Sequence, residues 1–160
     1  MHIVLVEPEI PGNTGNIARL CAATGMELHL VRPLGFSTDE KHLRHAGLDY
    51  WHLVRVYYHN CFAEVAAMYH GHAFHYLSTK APRAYTEAAY GADDFLVFGK
   101  ESKGLPEDLL QMVWDRAVRI PMIAEARSLN LSNSVAIVAY EALRQQQFAG
   151  LADAGPGLHI

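Results

Sequence analysis

Cysteine is scarce in this sequence: Cys21 and Cys61 are the only two. So placed, they form neither a disulfide framework nor a zinc-spaced cluster, and a reducing cytoplasm is the expected compartment. Long apolar runs are missing too. None approaches the ~20 residues that cross a bilayer, and the opening MHIVLVEPEIPGN lacks a basic n-region, so no membrane partner and no signal peptide are expected. Positive charge is not in excess, with 13 Lys and Arg against 17 Asp and Glu, a formal −4. That balance counts mildly against nucleic acid, whose affinity rests on phosphate contacts, but it leaves room for a local basic patch. The first strand is followed by neither GxGxxG nor Gly-Lys-Ser/Thr, which argues against a dinucleotide-binding oxidoreductase and a phosphate-loop enzyme.

What is present fits one domain. The chain has 160 residues, 51% hydrophobic and 19% charged, enough to bury a core. Residues 1–150 read as that domain and 151–160 as a loose tail.

The stretch from Arg127 to Gln145, RSLNLSNSVAIVAYEALRQ, is the most informative. At about 100° per residue, Leu131, Val135, Val138 and Ala142 share a stripe, the mark of a core-facing helix. Opposite them lie Asn133, Ile137, Tyr140 and Arg144. Two usable faces point to packing on two sides, the second against another subunit. Ser128, Leu129 and Asn130 precede it with cap and ligand chemistry.

Upstream, apolar runs bounded by glycine and proline predict six strands, at 2–6, 27–31, 53–58, 73–79, 94–98 and 117–120. Between the first two, Pro8, Pro11, Gly12 and Gly15 force a loop, with Asn13 or Thr14 as cap of a helix that Gly25 ends. Asn60 is read as the cap of a helix over 61–69, and Pro106 as the start of a short one. Residues 39–45, DEKHLRH, predict a solvated helix bearing Lys41 and Arg44. His70, His72 and His75 crowd together, but no Cys, Asp or Glu joins them at ligand spacing, so no metal is expected. Strand and helix alternate, which gives an α/β fold with a mainly parallel sheet and helices on both faces. Polar and glycine-rich loops follow three strand ends, where open α/β sheets bind ligands.

Three blocks, NTGNIARLCAATG, FGKESKGLP and IPM with RSLNLSNSVAIVAYE, resemble in order and spacing the motifs of the SPOUT class of S-adenosylmethionine-dependent RNA methyltransferases. The opening IVLVEPEIPGNTGNIARL is similar to the TrmL (YibK-like) branch, which methylates the 2′-hydroxyl of the wobble cytidine or uridine of tRNA. The likeness spans residues 2 to about 150. It implies a deep C-terminal trefoil knot, a homodimer through the last helix (Ile137, Tyr140) and a tRNA anticodon stem-loop as partner. It implies S-adenosylmethionine bound by Leu77, Ser78 and Thr79, by Gly99, Glu101 and Gly104, by Ile120, Pro121 and Met122, and by Ser128, Leu129, Asn130 and Ser132. Its motif-one arginine matches Arg19, with Asn13 and Asn16 before it on the same helix. Because an arginine stays protonated, its role is to clamp phosphate and orient the ribose rather than act as base. Lys41, Arg44, Lys103 and Arg127 are the RNA-binding candidates. Lys103 stands where close members carry arginine, which keeps the charge but loses the two-pronged donor. The same motifs fit methylation of another tRNA or rRNA ribose, and a non-catalytic protein that holds cofactor or RNA.

Overall fold

The computed structural model describes residues 1–37, 51–152 and 154–157; the helix expected over 39–45, with Lys41 and Arg44, lies outside them. The elements in order are β1 (His2–Val6), α1 (Pro11–Thr24), β2 (Glu27–Val31), β3 (Val56–His59), α2 (Phe62–Met68), β4 (Phe74–Leu77), β5 (Arg83–Ala84), β6 (Phe95–Phe98), α3 (Glu107–Met112), β7 (Ala117–Arg119) and α4 (Leu131–Gln145). The strands make one sheet in the order β3-β2-β1-β6-β4-β7-β5, with every pairing parallel. The chain winds outward from β1 to β3 and then crosses to the other half. The carboxyl ends of β1, β6 and β4 therefore meet where the winding reverses, the place such sheets keep for ligands.

Alternation along each strand divides the apolar residues between two cores. Ile3, Leu5, Leu28, Leu30, Leu96 and Phe98 point to one face, which α1 covers with Ile17 and Cys21 and α4 with Val135, Val138 and Ala142. Val4, Val6, Val31, Phe95 and Val97 point to the other, covered by Val65 of α2 and Leu110 of α3. Helices on both faces follow directly, because β1, β2 and β6 are apolar on both sides and need two covers. Burial in the first core pushes the Cys21 thiol up to about 12, leaving it an inert apolar filler. On the second face His29 is fully buried, and burial with two histidine neighbours pushes it down to about 3, so its ring is neutral.

Several expected boundaries move. Helix α1 begins at Pro11, with Ile10 as its cap residue, and not after Asn13 or Thr14. Proline's fixed φ suits the first helical position, and Asn13 is turned to other partners. The strand expected over 53–58 is a 3₁₀ turn at Trp51–Leu53 followed by β3. Asn60 does not cap α2. Cys61 holds that position, and the Glu64 carboxylate reaches back to accept from the Asn60 N–H at 2.7 Å. A seventh strand, β5, was not expected. Gly25 ends α1 in the left-handed region, as read from the sequence. No helix of the described residues is long and apolar enough to cross a membrane.

Leu5, without exposed surface at the centre of the first core, sets a direct test. Leu5→Ala is expected to lower unfolding free energy by about 3 kcal/mol in urea titration, since the sheet and α1 cannot close the space left.

Candidate active site

A cavity of about 550 Å³ opens at the carboxyl ends of β4, β6 and β7 and the start of α4. One wall is the loop leaving β4, with Leu77, Ser78, Thr79 and Lys80. The second runs from Phe98 through Gly99, Lys100, Glu101, Ser102, Lys103 and Gly104 to Leu105. Ile120, Met122, Arg127, Ser128, Leu129 and Asn130 form the third, and Ile10 and Asn13 reach in from the start of α1.

Of the residues singled out in the sequence, Pro121 and Ser132 do not line this cavity. Pro121 is exposed, and Ser132 gives both its N–H and its hydroxyl to Asn130 Oδ1, at 3.0 and 2.7 Å. Asn13 lines it, but Asn16 and Arg19 are exposed along α1 outside it. Lys103 and Arg127 sit at its mouth. Ile137 and Tyr140 lie elsewhere, exposed on the far face of α4.

The second wall is built by backbone contact. A Cβ at Gly99 would fall 2.0 Å from the Gly104 carbonyl carbon, so no other residue fits. Gly104 takes φ +71° and donates to the Lys100 carbonyl at 2.8 Å, closing a tight turn. That turn holds the loop's backbone groups at the cavity edge.

Glu101 then ties this loop to the start of α1. Its Oε2 accepts from the Glu9 N–H at 2.8 Å, and its Oε1 from the Ile10 N–H at 3.2 Å and Asn13 Nδ2 at 3.0 Å. α1 has no acidic residue in its first turn and no side-chain cap of its own. A carboxylate from 91 residues away supplies the negative charge its N-terminal dipole favours. Asn13 passes the connection on, its Oδ1 accepting from Asn130 Nδ2 at 3.0 Å. Asn130 in turn caps α4, its Oδ1 accepting from the N–H groups of Ser132 and Asn133. One chain of side chains thus joins the starts of both helices through the cavity floor.

A second carboxylate crosses in the opposite direction. Glu9 accepts from the Ser102 N–H and hydroxyl, both at 2.9 Å, and these bonds hold its carboxyl below the usual range. Lys100 Nζ donates to Glu7 Oε2 at 2.7 Å, which raises the lysine above its ordinary value. Glu7 itself sits at φ +53°, a conformation rare for a residue with a Cβ and typical of functional loops. Nothing local in the sequence signals these pairings. The only hint was Glu7-Pro8-Glu9 facing, in composition, the basic and serine-bearing 100–103.

The fold and this cavity define an α/β protein with a ligand cleft at the carboxyl ends of its parallel strands. Residues 1–140 match the model of the SpoU rRNA Methylase family, and the chain belongs to that family. A Bacillus subtilis (strain 168) protein is 52% identical over 154 residues, covering 94% of this chain and 96% of its own. An Escherichia coli (strain K12) protein named tRNA (cytidine(34)-2′-O)-methyltransferase is 44% identical over 151 residues, with 94% and 96% covered. A structure solved in work on 2-OH methylation of C/U34 on tRNA superposes with TM-score 0.85 at 44% identity, over 91% of this chain and 95% of that one. The SpoU methyltransferase AviRb of Streptomyces viridochromogenes, solved in complex with the cofactor AdoMet, shares the fold at 22% identity and TM-score 0.79, over 92% and 60%.

Glu101→Gln tests the floor. It puts an N–H₂ among three donors, and the unfolding free energy is expected to drop by about 2 kcal/mol in urea titration, a neutral change at a surface residue giving almost none.

Proposed function

We propose that this chain transfers the methyl group of S-adenosylmethionine to the ribose 2′-oxygen of the wobble nucleotide, cytidine or uridine 34, of tRNA. The observation that carries the reading is the cavity at the switch of the sheet, walled by three loops and open to backbone approach, in a chain whose relatives are named for this reaction. Its volume lies within the ~300–1,000 Å³ of small-molecule sites. Its walls suit the donor. Leu77, Leu105, Ile120 and Met122 offer apolar faces to a purine, and Ser78, Thr79, Ser128 and the backbone of 99–104 offer polar groups to its edge, ribose and amino-acid end. When bound, the sulfonium supplies an activated methyl group.

The chain's own part is positioning. Arg19 stands outside the cavity lining, so its role lies on the RNA: it holds a phosphate and turns the 2′-hydroxyl toward the donor. Lys103 and Arg127 at the mouth, with Lys41 and Arg44, extend that grip. Asn13 is engaged by Glu101 and Asn130, which suits it to hold the floor and not to move protons. Asn16 faces outward near Arg19 and serves the same RNA.

The exposed face of α4, with Ile137 at 37% and Tyr140 at 48% exposure, is the proposed seat of a second copy. A dimer would gather two basic sets around one anticodon stem-loop, offsetting the acidic net charge. The chain is then one domain over 1–150, tied in the trefoil knot of its class and followed by a tail, and it works in the cytoplasm beside tRNA. The second reading, methylation of another tRNA or rRNA ribose, draws on the family's own description.

Methyl transfer from labelled S-adenosylmethionine to bulk tRNA, followed by nucleoside mapping, decides between them. Label in 2′-O-methylcytidine or 2′-O-methyluridine at position 34 is expected. Arg19→Ala is expected to lower kcat/KM for tRNA roughly 100-fold with cofactor affinity unchanged. Label at another ribose would replace the substrate, and equal loss of cofactor binding would remove Arg19 from the RNA.

A further inference from the structure

We propose that His2, Glu27 and His29 form a zinc site at the amino ends of β1 and β2, separate from the methyl-transfer cavity. In the parallel register His2 pairs with Glu27 and Val4 with His29, so all three side chains project from one face of the sheet. Their ligating atoms lie within 4.8 Å of one another. His2 Nδ1 is 3.1 Å from His29 Nε2 and 3.5 Å from Glu27 Oε2. Two ligands about 2.0–2.1 Å from a tetrahedral zinc are separated by about 3.3–3.4 Å, a value that the two His2 spacings bracket, so these donors lie at the separations one zinc ion needs.

The surroundings fix each donor. His29 Nδ1 meets His59 Nε2 at 3.0 Å, which gives His59 the part of the outer partner that sets a ligating histidine's tautomer. His2 stacks on Phe95, with ring centres 4.1 Å apart and planes at 5°. His29 stacks on Tyr57 and meets Tyr69 edge-on. Arg55 donates to Glu27 Oε1 at 2.7 Å and leaves Oε2 directed at the histidines. The site is reachable, since the side chains of His2 and Glu27 keep 14% and 20% of their surface in contact with solvent. Two imidazoles and one carboxylate suit a borderline ion such as zinc, with water completing four ligands.

Without the ion, a neutral His2 with its hydrogen on Nδ1 donates to His29 Nε2, beside the Glu27 carboxylate. Zinc takes that place, and His2 carries its hydrogen on Nε2 instead, with no net proton released. The histidines flagged by crowding in the sequence are not these. His75 is held by the Asp94 carboxylate at 2.8 Å and His72 by the Asp93 carbonyl, so a carboxylate does join that group, through the fold and not at ligand spacing.

The test uses the full chain, stripped with EDTA and titrated with zinc chloride by calorimetry, and with Co²⁺ by visible absorption. One saturable equivalent is expected, with the intense d–d bands of four-coordinate Co²⁺, and each weakened by at least about tenfold in Glu27→Gln and in His2→Asn. Absence of saturable binding, or binding that both substitutions leave unchanged, overturns the site. Should a variant not fold, ¹⁵N NMR of the wild type decides: His2 and His29 ring nitrogens shift together on adding zinc, or the site is wrong.

Discussion

The hydrogen bonds to the Glu101 carboxylate are the constraint on which the site depends. Glu101 lies in a loop pinned by the Gly99–Gly104 contact, and its oxygens fasten the segment where β1 turns into α1. Through Asn13 and Asn130 the same anchor reaches the start of α4. Three segments distant in sequence are thereby held at one distance from each other, and the space between them is the cavity. Charge-assisted bonds of this kind are stronger than neutral ones, and here they hold loops, the part of a fold that otherwise moves most.

The sheet makes this arrangement possible by being apolar on both faces. Two cores demand helices on both sides, and the reversal of winding beside β1 leaves the strand ends open between them. Helix α4 serves twice: Val135, Val138 and Ala142 close the first core, while its cap residue Asn130 belongs to the cavity floor. Packing and site are therefore coupled through one helix. The opposite end of β1 carries a different polar cluster, so one strand links two chemistries at its two ends.

Much of this was legible in the sequence for a local reason. Runs such as Ile3–Val6 and Phe95–Phe98 are apolar, short and bounded by turn residues, and these signals are carried by neighbours along the chain. The two faces of α4 follow from periodicity alone. What was not legible is long-range. Arg83–Ala84 is too short to show a pattern and is a strand only because β7 lies beside it. Pro11 reads as a loop former from its neighbours, and in the fold its fixed φ instead opens α1. Glu101 enters from the resemblance as a cofactor residue; the three donors that engage both its oxygens lie some 90 residues earlier, and no local pattern connects them to it. His2, His29 and His59 come together only through the parallel register of three strands. The knot and the dimer rest on family resemblance, since neither periodicity nor composition encodes threading or a partner.

The three loops around Glu101 are the proposed seat of the methyl donor. Amide hydrogen exchange with and without S-adenosylhomocysteine tests it most directly. New protection confined to residues 77–80, 99–105 and 120–131, with α2 and β3 unchanged, is expected. Tight binding that protects a different region, and leaves those loops exchanging as before, would contradict it.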